Sequence, residues 1–142
     1  MRQDILIRHA VQSDLSEVKR LADENRESLG FVMRSALAFG IENQWLLVAV
    51  HQGHLLGFAH YRHRQDTQTT LYELCVQAQV RKQGIGKALV LALRAQAQGK
   101  TCLVLKTPVD LPANGFYEHL GFVCREVQPG KKRALHVWEQ SW

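Results

Sequence analysis

Residues 76–89 read Val76-Gln77-Ala78-Gln79-Val80-Arg81-Lys82-Gln83-Gly84-Ile85-Gly86-Lys87-Ala88-Leu89. A strand-like apolar run ends, a basic turn with two glycines follows, and a helical pattern begins. Glycine lets backbone N–H groups close on an anion because no Cβ stands in the way. The first turn of a helix adds N–H groups without intrahelical acceptors and a partial positive charge. Arg81, Lys82 and Lys87 bring full charges to the same point. The segment has the chemistry of a pyrophosphate cradle.

Two common nucleotide motifs do not fit it. A dinucleotide fingerprint needs a third glycine where Leu89 stands, and an acidic residue about 20 positions on, where the chain has Lys106. A P-loop needs glycine near Arg81 and Ser or Thr at Ala88, and has neither.

Working outward, Ile5-Leu6-Ile7 before Arg8-His9 predicts a first strand. Ser13 or Asp14 offers an N-cap, with Asp14-x-x-Glu17 resembling a capping box ahead of Leu15, Val18, Leu21 and Ala22 at helical spacing. A second short helix carries Leu29, Val32, Met33, Ala36 and Leu37, stopped by Gly40 as a left-handed residue. The period then changes to that of an antiparallel meander, with strands over 45–50, 55–64 and 69–77 and polar turns between them. Beyond the glycine turn a helix over 85–98 ends at Gly99. Its only charges are Lys87 and Arg94, so it is expected to be largely buried. A strand over 101–106, a short helix over 111–119 and strands over 122–127 and 134–138 complete a mixed α/β sheet with helices on its faces.

Composition agrees with one folded domain over 1–142. The chain has 142 residues, 46% hydrophobic and 22% charged, which excludes disordered and fibrous classes. No apolar run approaches the ~20 residues of a membrane span. The apolar run before Arg8 is only three residues long, too short for a signal-peptide core, so the expectation is a cytoplasmic protein with no membrane partner. Cys75, Cys102 and Cys124 form no C-x-x-C pair and are expected as reduced, buried thiols. Residues 1–60 hold six Lys/Arg against seven Asp/Glu, whereas residues 61–142 hold twelve against six. The field of the second half suits an anionic partner: nucleic acid, a membrane surface or a phosphate-bearing small molecule.

A second stretch, Ala113-Asn114-Gly115-Phe116-Tyr117-Glu118-His119-Leu120-Gly121-Phe122, narrows this field. Arg81-x-x-Gly84-x-Gly86 between a strand and a helix resembles the acyl-coenzyme A signature of the GNAT N-acetyltransferase superfamily. The aromatic pair ending in Leu-Gly-Phe resembles that family's second signature. The two stand in the family's order, with 31 residues from Gly86 to Tyr117. The resemblance covers nearly the whole chain. It implies a GNAT-like mixed, largely antiparallel sheet with helices on both faces and a strand splay at the acyl-CoA site.

It also implies acetyl transfer from acetyl-CoA to a primary amine on a small molecule or peptide, with no metal. Backbone groups of Leu74, Cys75 and Val76 would face the pantetheine arm. The N–H groups of Lys82, Gln83, Gly84, Ile85, Gly86 and Lys87 would hold the pyrophosphate, with Arg81 positioning the turn. Tyr117 matches the tyrosine placed near the cofactor sulfur, where a phenol of pKa ~10 gives a proton to the departing thiolate. The family often carries Asn seven residues before that Tyr; here Asp110 stands there and Asn114 lies closer in, so either takes the cofactor contact. The strand over 101–106 lacks the acidic residue of some peptide N-terminal acetyltransferases, so a ribosomal-protein substrate is not supported.

Glu73 is the candidate base. Strand alternation places it with Leu71 and Cys75, opposite Tyr72, Leu74 and Val76. A carboxylate desolvated in such a run has a raised pKa and can deprotonate an ammonium directly or through water. Equally, it can be a structural carboxylate paired with a basic side chain.

Weaker signals close the reading. His60 and His63, three apart on a strand, face opposite sides and cannot share a metal, and His51 and His54 lack a third ligand. No H-E-x-x-H or G-x-S-x-G occurs. Arg62-His63-Arg64 and Lys131-Lys132-Arg133 lie at hairpin turns, and in related enzymes the last such hairpin borders the acceptor pocket. A basic rim there would favour an acceptor carrying carboxylate or phosphate, the alternative being a solvated turn. Two rival functions stand beside transfer: an acyl-CoA-binding sensor domain without catalysis, and nucleic-acid binding by the basic half. The latter ranks last, because only Tyr61 beside Arg62 interleaves an aromatic with the charges. A homodimer is left open.

Overall fold

Alternation in the central strands divides the core into two. In β2 (Leu46–His51), Leu46 and Val48 face one way and Leu47 and Ala49 the other. In the computed structural model, which describes residues 4–97 and 99–142, each side is covered by helices. On one, Val18 and Leu21 of α1 (Leu15–Glu24) and Leu37 and Ile41 of α3 (Arg34–Glu42) pack on Leu46, Val48 and Phe58. On the other, Leu89 and Leu93 of α4 (Ile85–Gln96) and Tyr117 of α5 (Ala113–His119) pack on Leu47, Ala59, Tyr61 and Leu103.

The remaining strands are β1 (Leu6–His9), β3 (His54–His63), β4 (Gln68–Val76), β5 (Cys102–Pro108), β6 (Val123–Gln128) and β7 (Leu135–Ser141). They form one 7-stranded sheet in the order β1-β2-β3-β4-β5-β7-β6. Every pairing is antiparallel except β4 with β5. This is the mixed, largely antiparallel architecture with helices on both faces that the sequence predicts.

The helices before β2 depart from expectation. Gly30, at φ 74, separates a one-turn α2 (Arg26–Leu29) from α3, so Leu29 and Ala36 do not share a helix. Gly40 lies inside α3 and does not stop it. A Cβ at Gly40 would come within 2.8 Å of both Cδ2 and Nε2 of His60, so the glycine serves close approach and not backbone reversal. The chain turns instead at Gln44, whose φ is 59. Overpacking a core costs about 1–3 kcal/mol, against about 1 kcal/mol gained in helix propensity. Gly40→Ala is therefore expected to lose up to about 2 kcal/mol in urea unfolding. A stabilised variant would show that the His60 ring yields.

Asp14 is the N-cap residue of α1, as expected, but its side chain makes no capping bond to that helix. Its carboxylate accepts the Val11 N–H at 2.7 Å and pairs with Arg8 at 2.8 Å, closing the 3-10 turn Gln12–Asp14. The Arg8 hydrogen bond holds the Asp14 carboxyl below its ordinary range. In α4, Ile85, Leu89, Val90 and Leu93 are buried but Leu91 is 49% exposed, so the helix is amphipathic and not largely buried. Its expected end at Gln98 lies outside the described residues. Cys75 is buried, whereas Cys102 is half-buried and Cys124 exposed, contrary to the expectation of three buried thiols.

One irregularity governs the site. His60 stands opposite Glu73 while Tyr61 stands opposite Leu71, so Tyr72 is an extra residue in β4. Such a bulge switches the facing of everything beyond it. Leu71 joins the α4 side of the core and Cys75 the α1–α3 side, so Glu73 does not share a face with Leu71 as simple alternation requires.

Candidate active site

β4 and β5 pair only from Gln68↔Cys102 to Leu71↔Leu105. Beyond that, β4 stays with β3 as far as Val76↔Gly57, and β5 stays with β7 as far as Pro108↔Leu135. Two parallel neighbours are drawn apart by their outer partners, and the gap opens into a cavity of about 450 Å³. That is the size of a small-ligand pocket. Leu74, Cys75 and Val76 form one wall, the turn with Arg81, Lys82, Gly84, Ile85, Gly86 and Lys87 a second, and Leu111 to Ala113 with Phe116 and Tyr117 a third. Asn25, Ser28 and Leu29 close the fourth side.

The turn is built for N–H exposure. Gly84 holds φ 82 immediately before α4, and Lys82 holds φ 65, both left-handed. Ala88 is the first residue of the helix whose N–H reaches a carbonyl in the turn, that of Gly84 at 3.0 Å. Among the described residues, the N–H groups from Lys82 to Lys87 have no backbone acceptor. A Cβ at Gly86 would lie 3.2 Å from Phe116 Cζ, so that glycine also permits α4 to meet α5. Arg81 is tied to the scaffold: Nε donates to the Val76 carbonyl at 3.1 Å and Nη2 to Asn25 Oδ1 at 2.6 Å. Arg81 keeps its positive charge beside these neutral acceptors, and with Lys82 and Lys87 it lines the cavity.

Tyr117 is 6% exposed, its ring set edge-on to Phe116 at 5.1 Å and Phe122 at 5.6 Å. No described residue hydrogen-bonds its hydroxyl, and Tyr117 is among the residues that line the cavity. Burial, with a smaller contribution from Cys75, pushes the phenol well above its ordinary pKa. Burial also pushes the Cys75 thiol up to about 11, partly opposed by Arg81. Both groups keep their protons at neutral pH, so this wall has a proton to give and no thiolate to attack with.

Glu73 lies on β4 but outside the cavity lining. Its Oε1 is 2.7 Å from Nδ1 of His60, so the basic partner is an imidazole and not a lysine or arginine. His63, by contrast, meets the Thr69 hydroxyl at 2.8 Å. Among the described residues no group of three or more His, Cys, Asp or Glu is placed to hold a metal ion.

The family model for the acetyltransferase (GNAT) domain matches residues 42–124, which include the meander, the glycine turn and the second aromatic signature. The chain belongs to the GNAT acetyltransferase family. Similar solved structures agree on the fold. Ard1 from Thermoplasma volcanium superposes with a TM-score of 0.88 at 19% identity, covering 97% of each chain. N-acetylglutamate synthase from Neisseria gonorrhoeae, complexed with coenzyme A and N-acetyl-glutamate, gives 0.85 at 18% identity over 99% of this chain and 36% of that one. NAA60 from Arabidopsis thaliana, in complex with a bisubstrate analogue, gives 0.83 at 17% identity over 96% and 97%. A search of curated protein sequences finds no match.

Within this GNAT domain, two residues assigned to the cofactor by sequence are not in the cavity lining. Gln83 is one, although its N–H is among the groups of the turn without a backbone acceptor. Asn114 is spent on structure. Its Nδ2 donates to the carbonyls of Pro108, Val109 and Leu111 at 3.0, 3.1 and 2.9 Å. Its Oδ1 accepts the Thr107 hydroxyl and, at 3.2 Å, Trp138 Nε1. The amide clamps the turn between β5 and α5 and has nothing left for a ligand. Asp110 is likewise engaged, with Arg133 at 3.1 Å. Each unmet buried group costs about 1–3 kcal/mol. Asn114→Ala is therefore expected to lower stability by about 2–4 kcal/mol in urea unfolding, while acetyl-CoA affinity stays within a few-fold.

Asn25 escaped the sequence reading. It closes a helix of unremarkable composition and meets Arg81 only through a contact 56 residues long in sequence. No local pattern signals it.

Proposed function

We propose that this domain moves the acetyl group of acetyl-CoA to a primary amine by direct attack within a ternary complex. The observation that carries the reading is one cavity in which a splayed strand, a helix N-terminus with open N–H groups and a buried protonated tyrosine converge. The turn suits the coenzyme: glycines at 84 and 86, N–H groups without acceptors, and Lys82 and Lys87 beside them answer a pyrophosphate's size and charge.

Each step then falls to a residue of this chain. Glu73 removes a proton from the acceptor ammonium, directly or through water, and frees the nitrogen lone pair. The nitrogen forms its bond to the acyl carbon while the N–H of Cys75 or Val76 donates to the carbonyl oxygen. As the carbon–sulfur bond breaks, Tyr117 gives its proton to the sulfur, and the second proton that the nitrogen sheds on becoming an amide returns to the Tyr117 phenolate, directly or through water. Holding the reactants in line supplies the rest of the acceleration. In the hairpin between β6 and β7, Arg133 is held by Asp110 and the Glu27 carbonyl, leaving Lys131 and Lys132 as exposed charges. They favour an acceptor with a carboxylate or phosphate near its amine. A cytoplasmic location belongs to the same proposal.

The test is calorimetric titration with acetyl-CoA, then thiol release against a panel of amines: spermidine, lysine, glutamate, glucosamine 6-phosphate and an N-terminal peptide. Binding with turnover on an acidic or phosphorylated member is the expected result. Binding without turnover on any amine would favour an acyl-CoA sensor. Absence of binding would remove the reading and send the question to salt-dependent nucleic-acid binding.

A further inference from the structure

His60 reaches Glu73 from the neighbouring strand, and the imidazole has almost no freedom. It is 7% exposed. Gly40 of α3 comes so close that a Cβ there would lie 2.8 Å from Nε2 and from Cδ2. The Tyr72 ring covers it at 5.3 Å between centroids, tilted by 50°. The Tyr72 bulge sets the register that brings His60 opposite Glu73. A ring flip would replace Nδ1 by a carbon and leave a C–H against the carboxylate. An ionised carboxylate offers acceptors only, so the 2.7 Å contact requires the proton on Nδ1. Among the described residues, Oε2 of Glu73 has no hydrogen bond within the chain.

We propose that His60 is a positioning residue for Glu73: its Nδ1–H holds Oε1, so that Oε2 is presented to take the proton of the acceptor ammonium. This rests on the reading of Glu73 as the base. The proton balance is simple. The ammonium loses one proton to Oε2, the neutral amine attacks, and the second proton that its nitrogen sheds on becoming an amide restores the Tyr117 phenol after that group has protonated the sulfur. Imidazole fixes the carboxylate as a third group fixes the base in nucleophilic catalysis. Gly40 fixes the imidazole in turn, which gives an otherwise unfavourable helix glycine its purpose.

Two measurements on the whole chain test this. The first needs no acceptor: long-range proton–nitrogen spectra of 15N-histidine-labelled protein, wild type beside Glu73→Gln. The Nδ1–H tautomer of His60 is expected in the wild type, where the carboxylate can only accept, and a mixture of tautomers is expected in Glu73→Gln, whose amide can accept from Nδ1–H or donate to a bare Nδ1. An Nε2–H tautomer in the wild type overturns the proposal.

The second is turnover on whichever amine of the panel is acetylated. His60→Leu is expected to lower kcat about tenfold or more, with KM for acetyl-CoA within twofold. His60→Asn keeps a donor at the Nδ1 position and is expected to recover most of that loss. His60→Gln moves the donor towards Gly40 and is not. In a Glu73→Gln background, His60→Leu should add nothing, because residues acting as one unit are not additive. Loss in Glu73→Gln with none in His60→Leu would overturn the role of His60 and keep the base. Unchanged turnover in Glu73→Gln would overturn the base itself. Equal loss in His60→Asn and His60→Leu would reduce His60 to packing.

Discussion

Acetyl-CoA is expected not to bind the Gly84→Glu variant measurably, and the effect should be at least about 100-fold in Kd, or 2.7 kcal/mol. Two causes add. Gly84 sits at φ 82, where a residue with a Cβ loses roughly 1–2 kcal/mol. The new carboxylate would then stand at the start of α4, where the helix presents about half a positive charge to an anion. It would compete for the N–H groups from Lys82 to Lys87, the groups proposed to hold the pyrophosphate. Gly84→Ala separates the causes, because it keeps the strain and omits the charge; about tenfold weaker binding is expected. Calorimetry beside thermal unfolding reads both variants. Retention of near-normal affinity in a folded Gly84→Glu protein would mean that the anion site is not at this turn.

Tyr117→Phe is expected to leave acetyl-CoA affinity and stability unchanged and to reduce turnover by about 10²–10⁴, the range of a lost general acid. The stability half follows from packing: the ring contacts with Phe116 and Phe122 survive, and no hydrogen bond of the described residues is lost. The kinetic half follows from the proton. Burial raises the phenol, so the acid form persists above the pH at which a free tyrosine ionises. The wild-type rate should therefore show no fall from this group between pH 7 and 10. Single-turnover thiol release against pH measures both. A Tyr117→Phe enzyme as fast as wild type would assign the proton to water or to another residue.

Some of the site was legible in residues 76–89 and 113–122, because what those segments do is local. A glycine turn before a helix exposes N–H groups whatever surrounds it, and an aromatic pair at the end of a short helix buries itself against the nearest sheet. The strand meander was legible for a similar reason: alternation of period two needs only immediate neighbours. The errors cluster where distant segments meet. Gly40 reads as a helix stop until His60 is seen against it. Asn114 reads as a ligand until its amide is seen to hold Pro108, Val109 and Leu111. The Asp14 side chain reads as a cap for the helix ahead, yet it closes the turn behind, because Arg8 on β1 is there to pair with it.

The amino-acid order alone thus determined the strands, the helices α1, α4 and α5, where the basic anion-suited turn falls, and which family pattern the chain carries. Periodicity, glycine placement and charge act within a few residues and need no partner. The tertiary structure decided how far β4 and β5 stay paired, which way Glu73 faces beyond the Tyr72 bulge, and that His60 is the residue it meets. Those outcomes depend on register between strands and on helices drawn onto the sheet from elsewhere in the chain. A shift of one residue reverses the facing of every side chain beyond it.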